Sequence, residues 1–110
     1  VVILEIKAPE AVDDEAMTQI LVNIKMKARL KIVLLWDLTA VQDYDMSAHR
    51  IFVAWATHNR KRIDRIAVLT DHPIWDALVS VLSKESQVTS RAFSSRDFAI
   101  EWLERPCDLP

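Results

Sequence analysis

Residues Lys31 to Ala48 read KIVLLWDLTAVQDYDMSA. The run Ile32-Val33-Leu34-Leu35-Trp36 is short enough for a β-strand and apolar at both alternating sets of positions. That pattern predicts a central strand with helices packed over both of its faces. Asp37 ends the run, a polar loop follows, and apolar residues resume at helical spacing near Met46. Open α/β sheets bind ligands in crevices at the carboxyl ends of their strands. The site is therefore expected around Trp36 to Phe52.

Working outward, Val1 to Lys7 (VVILEIK) reads as a first strand, broken at Ala8-Pro9-Glu10. Asp13 or Asp14 can cap a helix whose stripe is Met17, Ile20, Leu21, Ile24 and Ala28, spaced as one helical face. After Asp45, residues Ala48, Ile51, Phe52 and Trp55 define a second helix running to about His58. Arg65 to Thr70 (RIAVLT) is a second central strand. Pro73 suits a third helix start, with Ile74, Trp75, Leu78 and Leu82 as its buried stripe. Val88 to Phe93 alternates like an edge strand. Ser94 with Asp97 resembles a capping box before a last helix with Phe98, Ala99, Trp102 and Leu103 facing inward. Alternating strands and helices with short links predict an α/β fold: four or five mostly parallel strands with helices packed on the sheet. One domain over residues 1–104 is expected, with 105–110 as a tail.

Composition narrows the function. The 110 residues suffice for one domain with a real core. The net charge of −2 gives no global reason to expect nucleic acid. No apolar run approaches the roughly 20 residues that span a bilayer, and no signal-peptide pattern is visible. The single Cys107 excludes an internal disulfide and a cysteine-based zinc cage, and the expected compartment is the cytoplasm. Glycine is absent altogether. Walker loops, dinucleotide fingerprints and nucleophile elbows use glycine to bring backbone close to a ligand or through a tight turn. Most nucleotide-dependent α/β enzymes are thereby set aside, and no cofactor is expected.

Asp37-Leu38-Thr39-Ala40-Val41-Gln42-Asp43-Tyr44-Asp45-Met46-Ser47-Ala48 resembles the signature of STAS domains, the sulfate transporter and anti-sigma factor antagonist group. Their pattern is Asp-Leu-Ser-x-Val-x-x-hydrophobic-Asp-Ser-Ser-Gly, and the spacing matches without a gap. The basic link Arg60 to Arg62, the run Arg65 to Asp71 with Trp75, Arg91-Ala92-Phe93, and Ala99 to Leu103 resemble the SpoIIAA-like subgroup. The resemblance implies a STAS-like fold over roughly residues 1 to 104. It implies apolar-ligand or lipid binding as one expected role. The other is partner switching, with Ser47 at the phosphorylated serine's position and its helix docking on a kinase. Met46 and Ala48 depart from the family's Ser and Gly.

The individual residues lend themselves to these readings unequally. Trp36, Tyr44, Phe52 and Trp55 are the expected lining of an apolar pocket beside the central strand. Asp45 and Ser47 are the docking and phosphorylation candidates; Asp43 and Asp45 would oppose a phosphate that the helix dipole favours. Asp37, Asp43 and Asp45 are otherwise accounted for by loop and cap duties. His49 and His58 fall on opposite helix faces and His72 in another loop, so no metal motif emerges. No nucleophile–base pair can be named, and the expected function is non-enzymatic. Basic clusters at Lys25 to Lys31 and Arg60 to Arg65 suit helix ends and also allow peripheral contact with anionic lipid. A protein partner or a homodimer stays open beside the small-molecule reading.

Overall fold

A computed structural model describes residues 2–24 and 31–105. Strands and helices alternate along them: β1 (Val2–Lys7), β2 (Ala11–Val12), α1 (Asp14–Val22), β3 (Ile32–Asp37), β4 (Asp43–Tyr44), α2 (Met46–His58), β5 (Ile63–Leu69), α3 (Ile74–Ser86), β6 (Thr89–Phe93) and α4 (Arg96–Glu104). The long strands form a four-stranded sheet in the order β1-β3-β5-β6, with every pairing parallel. The expected α/β architecture is the one observed. Two short strands were not foreseen: Ala11 pairs with Asp43 and Val12 with Tyr44, where the sequence read as loop. Two residues per strand carry too little periodicity to show. Ala28, placed on the first helix's stripe, lies outside the described residues, and α1 itself ends at Val22.

All six residues of β3 are buried, and the two-residue period of a strand explains how. Ile32, Leu34 and Trp36 share one face with Ile66 and Val68 and pack under Met17, Phe52, Trp75 and Leu82 from α1, α2 and α3. Val33 and Leu35 take the opposite face with Ala67 and Leu69, against Ala99 and Leu103 of α4. Three helices thus cover one face and one short helix covers the other. Ile3, Glu5 and Lys7 of β1 are exposed, and Arg96 at the start of α4 reaches Glu5.

Some details differ from the sequence reading. Ile74 is 55% exposed and Phe98 66%, although both were expected inside. The buried stripe of α3 centres on Trp75, Val79 and Leu82, that of α4 on Ala99 and Leu103. At about 100° per residue, Ile74 and Phe98 fall roughly 100° or more off those centres. Ser95, not Ser94, caps α4, accepting from Phe98 N at 3.5 Å. Pro73 occupies the cap position of α3 rather than its first turn.

Two features should control stability. Arg65, only 8% exposed, ties β5 to the end of α4. Its guanidinium donates to the carbonyls of Trp102 and of Arg105 (2.9 Å), and to Asp64 (3.0 Å), while lying 5.4 Å from the Trp102 ring centroid. Arg65→Lys keeps the charge but not the planar fork that reaches several acceptors. It should lower unfolding free energy by about 1.5–3 kcal/mol, the range for hydrogen bonds to charged groups, measured by urea denaturation. Gln87, the C-cap of α3, has φ 61°. A side chain in this left-handed region costs roughly 1–2 kcal/mol, which glycine escapes at some loss of chain entropy. Gln87→Gly should therefore raise stability by up to about 1 kcal/mol in the same assay.

Candidate functional site

At the carboxyl edge of the sheet the strands stay tied together, and a small cavity of about 250 Å³ lies beside Thr70 to Pro73 and Phe93. Backbone hydrogen bonds continue past the strand ends, from Ala8 N to Asp37 O, Leu38 N to Leu69 O and Thr70 N to Phe93 O, at 2.8–2.9 Å. The Asp37 carboxylate folds back on its own loop, accepting from Thr39 N at 2.9 Å and Thr39 Oγ1 at 2.6 Å. Trp36 and Phe52 are each 1% exposed and stack with ring centroids 5.4 Å apart. Half-buried Trp55 extends the stack, 5.9 Å from Phe52. Tyr44 belongs to a different cluster, 4.7 Å from Trp75 and edge-on to His49. Ring contacts thus join Trp36, Phe52 and Trp55 in one stack and Tyr44, His49 and Trp75 in another, both within one core cluster. Trp36 and Phe52 are both packed into the core.

The first turn of α2 carries Ser47, which is exposed and donates a hydrogen bond to the Asp14 carboxylate of α1. Asp45 sits at the N-cap, but its side chain makes no capping bond. Its backbone does the work instead, donating to Val12 O at 3.0 Å and accepting from His49 N at 3.1 Å. The β2–β4 pairing holds these residues in place. Glu10, Asp13, Asp14, Asp43 and Asp45 are all exposed at this end.

An open groove of about 1070 Å³ runs instead along the outer side of α2, toward α3. Met46, Val53, Ala54 and Val81 supply its apolar surface. Arg50, Arg60, Lys61 and Arg62 give it cations, with His58 beside them and Glu85 an acid in the lining. Sequence reasoning missed it because the groove needs two helices in register. Its trace is a second stripe on α2, Met46, Arg50 and Ala54 at i, i+4 and i+8, beside the buried one.

His49 lies where this groove meets the core and is 3% exposed. Its Nδ1 is 3.0 Å from Tyr44 Oη, and its ring packs edge-on to Trp75. Nε2 is buried without a hydrogen-bond partner of good geometry. Burial holds the imidazole below its ordinary pKa, while the Leu78 backbone and Glu85 pull the other way. Burial also pushes the Tyr44 phenol above its usual range. Among the described residues, no group of three or more His, Cys, Asp or Glu could hold a metal ion. No helix among them is long and apolar enough to cross a membrane.

The family model described as SpoIIAA-like matches residues 3–104. The chain belongs to the SpoIIAA-like family. The crystal structure of an uncharacterized protein with a SpoIIAA-like fold from Shewanella loihica PV-4 superposes with a TM-score of 0.61 at 19% identity. The match covers 94% of this SpoIIAA-like chain and 79% of the other. At that identity the likeness concerns the fold. No curated protein matches the chain.

The histidine makes the domain pH-sensitive. The unfolded chain takes up the proton near the free value of 6.5, whereas the folded protein does so only at lower pH. His49 therefore contributes its full share of stability above pH 6.5, and that share is lost as pH falls through 6.5 toward the folded value. Melting temperature should fall between about pH 7 and 5. His49→Phe should flatten this part of the curve relative to wild type; an unchanged slope would remove His49 as its source.

Proposed function

We propose that this SpoIIAA-like domain is a non-enzymatic binding module of the cytoplasm whose ligand is a lipid-like molecule held in the α2–α3 groove. The observation that carries the reading is the groove itself, a space of about 1070 Å³ with apolar side chains of both helices in its wall. Ligand pockets of about 300–1,000 Å³ are the usual scale for small molecules. The crevice beside Trp36 is the weaker location, since opening it would unstack buried aromatic rings. Large-to-small changes at such rings commonly destabilise by about 3–5 kcal/mol.

Partner switching through Ser47 is the second reading, favoured by the exposure of that serine in the first turn of α2. A phosphoryl group there would displace the bond to Asp14 and face the neighbouring carboxylates. A phosphate-sized mass increment mapping to Ser47 would favour this reading.

Native mass spectrometry after gentle purification and incubation with long-chain lipids tests the first reading. The expected result is a lipid-mass adduct that disappears on organic extraction. Ala54 is exposed on the groove wall, so Ala54→Trp should fill the space without disturbing the core. The variant should keep the wild-type circular dichroism and lose most of the adduct. A wild-type protein that stays free of adduct, or a variant that loads equally well, would defeat the assignment.

A further inference from the structure

We propose that the free edge of β6 takes up an extended acidic peptide as an added strand of the sheet. β6 ends the order β1-β3-β5-β6, so its outer side has no strand partner. Phe93 O accepts from Thr70 N at 2.8 Å, which turns the backbone polar groups of Phe93 toward β5. Those groups alternate in direction along a strand. The N–H and C=O groups of Ser90 and Ala92 therefore face outward, set for a further strand. Natural edges are blunted by proline, by bulges or by a covering segment. β6 carries no proline, and it pairs with β5 from Thr89 to Phe93 without a register shift.

Cavities flank this edge on both faces of the sheet. Toward α3, a space of about 690 Å³ lies between Ser90 and Ala92 and the helix residues Ser80, Ser83 and Lys84. Toward α4, one of about 380 Å³ is lined by Arg91, Phe93, Phe98 and Trp102. Arg91 and Ala92 belong to both linings, so the two spaces meet at the strand. Alternate residues of an added strand would enter them in turn, which is how strand addition gains its specificity. None of these residues lines the α2–α3 groove, so the inference stands apart from the cargo reading.

The chemistry of the partner follows from the two walls. Arg91 shares its sheet face with Phe93, and its guanidinium lies 5.3 Å from the Phe93 ring centroid. Arg91 is exposed, and among the described residues no side-chain hydrogen bond or ion pair engages it. Glu101 in the same wall is paired with Arg105 at 3.8 Å. An acidic side chain opposite Arg91 would thus meet an uncommitted cation. Two positions along, Phe93 and the 66% exposed Phe98 offer aromatic surface. The fitting peptide carries an acid with an apolar residue two places away. On the α3 side, the serine hydroxyls beside Lys84 and Asp76 suit small polar residues between them.

A second copy of the chain fits this edge poorly. Two-fold pairing of β6 with itself, centred on Ser90, Arg91 or Ala92, sets the two Arg91 side chains opposite or diagonal on one face. Like charges placed directly opposite are destabilising, and long side chains still reach each other on the diagonal.

Fluorescence anisotropy of the full chain with a labelled synthetic peptide, Thr-Phe-Thr-Glu-Thr-Phe-Thr, tests the inference. The peptide presents glutamate between two phenylalanines on one face whichever direction it runs. Wild type should bind it about tenfold more tightly than a version with lysine in place of glutamate, and R91E should reverse that preference. In the complex, the Ser90 and Ala92 amides should gain protection from hydrogen exchange. Wild type that ignores the glutamate peptide, or binds both peptides equally, would overturn the inference. So would binding that leaves those two amides unprotected, because the peptide would then lie off the edge. Self-association that protects the same amides without peptide would put a second copy there and overturn it equally. Should R91E fail to fold, the two peptides on wild type carry the charge comparison alone.

Discussion

The whole arrangement depends on covering β3 on both faces. A strand whose six residues are all buried needs two packed layers, and the chain supplies them unequally. Three helices lie on the face of Leu34 and Trp36, and the nine residues of α4 alone cover Val33 and Leu35. So short a helix is a marginal structure by itself. It is fixed by the buried Arg65 beneath it and, at the surface, by Arg96 Nη2 donating to Glu5 at 2.6 Å. The Arg96 guanidinium holds the Glu5 carboxyl below its usual pKa. Both partners of that pair are well exposed, so the interaction aims α4 toward β1 more than it stabilises the fold.

The lack of glycine shapes the connections in a related way. Where another chain would turn on a glycine, this one closes turns with side-chain hydrogen bonds. Asp37 and Thr39 make one after β3. Ser86 makes another after α3, donating to Leu82 O at 2.5 Å and accepting from Val88 N at 3.1 Å. That second turn still forces Gln87 into the left-handed region. Turns locked by side chains leave little free backbone N–H to cradle a ligand, in keeping with a carboxyl edge that bonds to itself.

Legibility in the sequence followed the length scale of each feature. Strand period and helix stripe are local, so the strands around Ile32–Trp36 and Ile66–Leu69 and the helix faces carrying Phe52 and Leu82 could be read directly. The SpoIIAA-like motifs fixed their order. Burial of single residues at helix starts, such as Ile74 and Phe98, could not be read, because the sheet covers an angular sector that only the packed structure defines. The candidate site was the least legible part. An aromatic residue at a strand end predicts a pocket wall and a core stack equally well, and the stack of Trp36 on Phe52 is the outcome here. The groove draws on α2, α3 and the turn before β5, and no sequence window contains all three.

The usual rule for open α/β sheets places ligands at the carboxyl ends of the strands, and this molecule gives reasons why its groove points elsewhere. The sheet's order β1-β3-β5-β6 never reverses, so it lacks the switch point at which neighbouring connections diverge and open a crevice. The β2–β4 pairing then lies alongside the starts of α1 and α2, and acids occupy those helix starts. An anion that the helix dipoles would otherwise attract meets Asp13, Asp14, Asp43 and Asp45 instead. At the far end of α2 the dipole is unfavourable to anions, yet three cationic side chains, Arg60, Lys61 and Arg62, stand in the turn beyond it. The charged side chains thus differ in sign between the two ends of α2.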